Sequence, residues 1–97
     1  MDGIAHIAVL WLDISIPASQ SLKTKRRVLK SVKDRIRSRF NAAVAEVGEL
    51  DKWQRSLCGV TMLGNDKRFL EQSMASVSQL VLSYSEIIVL DSRLEFL

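Results

Sequence analysis

From Ile4 to Ile16 the chain alternates with a period of two, and its only proline, Pro17, follows at once. Ala8, Leu10, Leu12, Ile14 and Ile16 form an unbroken apolar set, interleaved with Ile7, Val9, Trp11, Asp13 and Ser15. A pleated strand sends such sets to opposite faces. The first set therefore predicts a buried face, and the second an open face that turns polar towards its end. Pro17 withholds a ladder N–H and stops the strand.

After Ala18-Ser19-Gln20 the period changes. Leu22, Leu29, Val32, Ile36 and Phe40 recur at spacings of seven, three, four and four, with Val28 on the edge of the stripe. At 3.6 residues per turn they line one side of a helix. Ser21 is a good N-cap. Thr24 stands three residues on, so there is no capping box, and Asn41 offers a stop.

The polar side of this helix carries nearly one sign of charge. Ser21 to Asn41 holds nine of the fourteen Lys and Arg against the single acid Asp34, a net +8. The rest of the chain, with five bases and ten acids, carries −5. Lys23, Arg26, Lys30, Lys33 and Arg37 share one arc with Arg27 beyond them, while Arg35 and Arg39 lie on the other flank. A solvated helix gains from Glu–Lys pairs at i,i+4, whereas Lys23–Arg27, Arg26–Lys30, Lys33–Arg37 and Arg35–Arg39 repel. Lys23, Lys25, Arg26 and Arg27 also crowd the positive end of the helix dipole, at about 0.3–1 kcal/mol each when exposed. Selection for folding alone would place acids there. The arc suits a polyanion, although a basic cluster is also compatible with a plain solvated face.

Ala42 to Val47 reads as a second strand, Gly48-Glu49-Leu50-Asp51-Lys52 as the connection, and Trp53 to Leu63 as a third strand pairing with the second in a hairpin. Gly64-Asn65-Asp66 combines turn and N-cap chemistry. Lys67 to Tyr84 then has Leu70, Met74, Val77, Val81 and Tyr84 inward, with Phe69 and Leu80 beside them. Glu86 to Phe96 alternates again, with Ile88, Leu90, Leu94 and Phe96 on one side and Asp91, Arg93 and Glu95 on the other. The order β-α-β-β-α-β predicts a ferredoxin-like α+β sandwich: a four-stranded antiparallel sheet, strands one and three central, both helices on one face. The 97 residues make one such domain, residues 1–97.

A hydrophobic share of 47% and a charged share of 26% are those of an ordinary globular chain. The single cysteine, Cys58, cannot close an intramolecular disulfide, which fits a reducing compartment. Asp2 precedes the apolar opening where a signal peptide carries positive charge, and no apolar run approaches the roughly 20 residues of a membrane span. A cytoplasmic protein is expected. His6 and Cys58 have no ligand-spaced partners, so no metal or other cofactor is expected. Cys58 reads as a small buried hydrophobe without an activating neighbour. Asp13, Glu46 and Asp66 fall near strand ends as solvated carboxylates, and nothing marks a catalytic pair. One aromatic, Trp11, stands among the outward Leu57, Gly59 and Thr61, too few for a base-stacking sheet. Trp11 fits instead a subunit contact with Ile7, Val9 and Leu57, and Trp53 a cap on the hairpin end.

The stretch IPASQSLKTKRRVLKSVKDRIRSRF, then Ala45-Glu46-Val47, Trp53-Gln54-Arg55 and Gly64-Asn65-Asp66-Lys67-Arg68, resembles the YlxP-like family of small bacterial proteins, a domain of unknown function. The SLK-x-KR start to the helix is its most specific part. The resemblance implies a ferredoxin-like fold, and a gene often found among translation-factor and ribosome-maturation genes, which points to RNA or the ribosome. It implies no catalytic residues. Thr24 and Trp11 depart from the acids common at those positions in the family.

The leading expectation is a non-enzymatic RNA- or ribosome-associated protein whose Lys23, Arg26, Arg27, Lys30, Lys33 and Arg37 contact phosphates. Such contacts position without reading sequence and weaken with salt. The alternative is a homodimeric protein–protein module working through Ile7, Val9, Trp11 and Leu57 on the open sheet face. A small enzyme or sensor on this scaffold is a third class, since fold does not fix function.

Overall fold

The computed structural model describes all 97 residues, Met1 to Leu97. The elements are β1 (His6–Ser15), α1 (Leu22–Arg39), β2 (Ala43–Gly48), β3 (Arg55–Gly64), α2 (Lys67–Leu82) and β4 (Ile88–Phe96). The four strands form one sheet in the order β2-β3-β1-β4, every neighbouring pair antiparallel. This is the ferredoxin-like arrangement, with β1 and β3 central. Each strand alternates sides, so one sheet face can go entirely to the helices and the other remain open.

The buried face of β1 is the expected one. Ala8, Leu10, Leu12, Ile14 and Ile16 are buried against Cys58, Val60 and Met62 of β3 and the inner stripes of both helices. In α1 that stripe is Lys25, Val28, Leu29, Val32 and Ile36. In α2 it is Leu70, Met74, Val77, Leu80 and Val81. The Ser21 hydroxyl accepts from the Thr24 N–H at 3.0 Å, and the Asp66 carboxylate accepts from the Phe69 N–H at 3.2 Å. Each cap fills one of the orphan donors at its helix start. Phe40, one residue before the expected stop, closes α1.

Three expectations need correction. Ile88 and Leu90 do not face the core: they are 53% and 50% exposed, and Val89 packs inward instead. The cause is a bulge, since Asp13 pairs with Asp91 but Ile14 with Val89. One extra residue on β4 reverses the alternation beyond it. Phe69 lies outside the core at 61% exposure. Trp53 does not cap the hairpin; it precedes β3 and stands 53% exposed.

Candidate nucleic-acid interface

The basic helix has two chemically distinct sides, and the residue that divides them is Lys25. It follows Leu22 by three and precedes Leu29 by four, so it occupies the inner stripe, fully buried. Its ammonium contacts the Glu46 carboxylate at 2.8 Å and the carbonyls of Glu49 (2.9 Å), Arg55 (3.2 Å) and Leu50 (3.3 Å). An ammonium has three protons to donate, so the two longer contacts share one. Glu46 comes inward because it lies two residues beyond Val44 on β2. It also accepts from the Ser56 hydroxyl at 2.8 Å, which in turn lies 3.3 Å from the Cys58 thiol. Glu46 is thus a partner inside the fold, not a solvated strand end. Lys25 likewise belongs to the interior and not to the crowded positive face.

This cluster shapes the connection between β2 and β3. Glu49 has φ of 60°, unusual for a residue with a side chain. Its carbonyl accepts from the Lys52 N–H at 3.1 Å as well as from Lys25, and its carboxylate pairs with Lys52 at 2.8 Å. Bonds to a charged donor offset the roughly 1–3 kcal/mol that a sparsely populated backbone conformation costs. Gln54 donates from its side-chain amide to the Ser19 carbonyl at 3.2 Å, tying the same connection to the entry of α1. Arg55 pairs with Asp13 at 2.9 Å across the open face.

Burial pushes the Cys58 thiol up from 9.0; the Ser56 hydrogen bond pulls the other way and the Glu46 charge adds to the rise. The expected quiet, buried cysteine agrees with this environment.

The outer side of α1 holds the expected cations, in unequal states. Lys23, Arg26 and Arg27 are exposed with no carboxylate within pairing distance. Lys30, also exposed, reaches Asp34 at 2.6 Å, and Arg37 stands 3.9 Å from the same carboxylate. The Lys30 hydrogen bond holds the Asp34 carboxyl below its ordinary value. Arg37 also donates to the Val44 carbonyl on the edge strand β2 at 3.0 Å, and Lys33 is half-buried. Asp34 thus relieves part of the expected repulsion at one end of the arc. On the opposite flank, Arg35 lies 5.3 Å from the Tyr84 ring centre. It joins Arg39, Phe40, Ser76, Gln79 and Ser83 around a groove of about 500 Å³ between the helices. The cations therefore run from the β2 edge across the outer face of α1 into the groove beside α2.

The open sheet face is the second surface. Ile7 is 40% exposed, while Val9, Trp11 and Leu57 are half-buried. Trp11 is already engaged within its own chain. Its indole N–H donates to Glu95 at 3.2 Å, and the Arg93 guanidinium lies 5.9 Å from its ring centre. Opposite Trp11 stands Gly59, whose lack of a side chain leaves a cleft of about 250 Å³ bordered by Val9, Ala43, Ala45 and Val47.

The molecule is, then, a small ferredoxin-like α+β protein with one basic helix and an open sheet face. The sequence profile of the family described as "Protein of unknown function (DUF503)" matches residues 7–94, and the chain belongs to that family. It is 34% identical over 67 residues to "Uncharacterized protein YlxP" of Bacillus subtilis (strain 168), covering 69% of this chain and 73% of that one. Among solved structures it is similar to a C-terminal segment of the alpha subunit of aIF2 from Pyrococcus abyssi, with a TM-score of 0.54 at 13% identity. All of this chain aligns, spanning about half (52%) of that one, and the likeness concerns the fold alone. No helix is long and apolar enough to cross a membrane.

Proposed function

We propose that the protein is a non-enzymatic RNA- or ribosome-associated protein, holding phosphates on the outer face of α1. The observation that carries this reading is the set of exposed, unpaired cations Lys23, Arg26 and Arg27 at a helix end where charge of that sign is unfavourable. Lys30, Lys33 and Arg37 extend the surface towards β2, and Arg35 and Arg39 extend it into the groove. An A-form major groove is too deep and narrow for such a helix, so the contact lies across backbones or folded shape. The test is RNA binding as a function of salt for the wild type and for Lys23→Gln/Arg26→Gln/Arg27→Gln. Removing three phosphate contacts should weaken binding at every sequence and flatten the log–log salt slope by about 2. Unchanged affinity in the triple variant, or no binding at low salt, refutes the reading.

A second reading, self-association through the open sheet face, is favoured by the apolar cleft over Gly59. Ile7, Val47 and Leu63 stand 40%, 50% and 65% exposed on that face. Burying a side chain of this kind contributes about 1.5–3 kcal/mol, which against the cost of docking supports a modest dimer.

A further inference from the structure

We propose that Trp53 is a stacking platform for an unpaired base of the RNA whose phosphates α1 holds; the inference rests on the reading above. Trp53 is 53% exposed and its loop neighbour Leu50 is 58% exposed, and neither belongs to the hydrophobic core. The fold thus leaves about half of this indole open to solvent, outside the core.

Display alone would mean little on a loose loop, but this loop is held from three sides. The carbonyls of Glu49, Leu50 and Arg55 converge on the buried Lys25 ammonium. Gln54, the next residue after Trp53, accepts through its carbonyl from the Ile16 N–H at 2.9 Å and donates through its side chain to Ser19. Lys52, the residue before it, is paired with Glu49. An aromatic carried on a backbone fixed in advance loses less freedom when a ligand arrives, which is how a preorganised anchor gains affinity.

Position identifies the ligand. The residue that organises the loop is Lys25 in the first turn of α1, so the loop lies at the helix end whose outer side carries Lys23, Arg26 and Arg27. The loop adds one unpaired acid, Asp51, against these three cations. A strand whose phosphates lie on these cations would continue over that helix end towards the loop that carries Trp53. Stacking on an aromatic is indifferent to base identity, and it joins a cationic track in sites for single-stranded nucleic acid. Bases inside a duplex are already stacked and paired, so the partner class is single-stranded or loop RNA. The sheet face plays no part. Its Trp11 is held by Glu95 and Arg93.

The chain has two tryptophans, so a Trp11→Phe background leaves Trp53 as the only indole reporter. In that background, a uridine oligonucleotide is compared with a blunt RNA duplex of equal phosphate count. Emission should be quenched at saturation by the single strand and not by the duplex. Trp53→Ala should weaken single-strand binding about 5- to 160-fold, the loss of one base stack. Trp53→Phe should recover most of it, and the salt slope should stay unchanged in both variants. Single-strand binding that is indifferent to Trp53→Ala, or that leaves emission unquenched, overturns the inference while the cationic face stands. Failure of both RNAs to bind at low salt removes the inference together with the reading beneath it.

Discussion

Helices α1 and α2 lie side by side on the same sheet face, yet they differ in both of their surfaces. Each buries five side chains against the sheet. Outside, α1 carries eight bases and one acid, whereas α2 carries only Lys67, Arg68 and Glu71. Inside, the α2 stripe is wholly apolar, whereas that of α1 includes a fully buried lysine. Covering the sheet needs neither feature, as α2 demonstrates. The outward charge of α1 therefore answers to something other than packing. Its inward charge answers to the hairpin, because the Lys25 ammonium gathers the Glu49, Leu50 and Arg55 carbonyls around one point.

The largest effect is expected from erasing the inward difference. Lys25→Met would give α1 an apolar stripe like that of α2. It would leave the Glu46 carboxylate without its cation and take one donor from each of the Glu49, Leu50 and Arg55 carbonyls. Breaking a buried pair on one side costs about 3–5 kcal/mol, visible as a lower denaturant midpoint. Removing the second charge as well, in Lys25→Met/Glu46→Gln, should cost less than the two single changes added together, since the partners are coupled. Additive losses would mean that Lys25 and Glu46 act independently. If Lys25→Met is as stable as wild type, the cluster does not hold the loop.

Erasing the outward difference should act on binding and spare the fold. The triple Gln variant of Lys23, Arg26 and Arg27 should keep its thermal midpoint or gain slightly, because it removes like charges from a helix start. Neutralising Lys67 and Arg68 on α2 should leave RNA affinity nearly unchanged. Equal losses from the two helices would show that net charge, and not the α1 face, governs binding.

The inner face of β1 and both helix caps could be read from the sequence because each depends on short-range periodicity or local hydrogen-bonding chemistry, and the strand order because the element order leaves few allowed connections. Lys25 was partly legible as well. The stripe from Leu22 to Leu29 skips a turn, and position 25 is the one that fills it. A charged residue there looks like surface until its partners are known, and those come from β2 and β3, far along the chain. Glu46 and Ser56 share the problem: alternation turns each inward, but only the assembled fold brings them to one lysine. The reversed face of Ile88 and Leu90 was hidden because a bulge leaves no mark in the apolar pattern. The fragments that carry the family resemblance contain Lys25, Glu46, Gln54 and Arg55, residues that tie the hairpin to α1 and β1. The resemblance thus concerns the hairpin clasp as much as the basic face.

The two sheet faces invite the same comparison at smaller scale, one sealed by helices and one bare. Trp11→Glu is a poor probe of the bare face, because it would set an acid beside Glu95, now the indole's partner. Val47→Lys is cleaner, since Val47 borders the cleft and is 50% exposed. It should shift a micromolar self-association towards monomer, by light scattering, with little change in thermal midpoint. A dimer indifferent to Val47→Lys, or a strict monomer in the wild type, removes the open face as a contact.

The smallest expected effect lies at the far end of the Lys25 cluster. The Cys58 thiol is held up from 9.0 chiefly by burial, and the nearby Glu46 charge adds to this. The folded state therefore keeps its thiol proton to higher pH than the unfolded chain does. Whatever stability depends on that proton is complete below pH 9.0, and is lost as pH rises from there through the folded value. The useful quantity is the difference between wild type and Cys58→Ala. Wild-type stability should fall more steeply than that of the variant above pH 9.0, and the two curves should run parallel below it. Thiol-reactive reagents should label the native protein slowly at neutral pH, at a rate set by opening of the fold. Parallel curves throughout, together with rapid stoichiometric labelling, would mean that Cys58 is open to solvent. The inward side of α1 would then be less tightly sealed than that of α2.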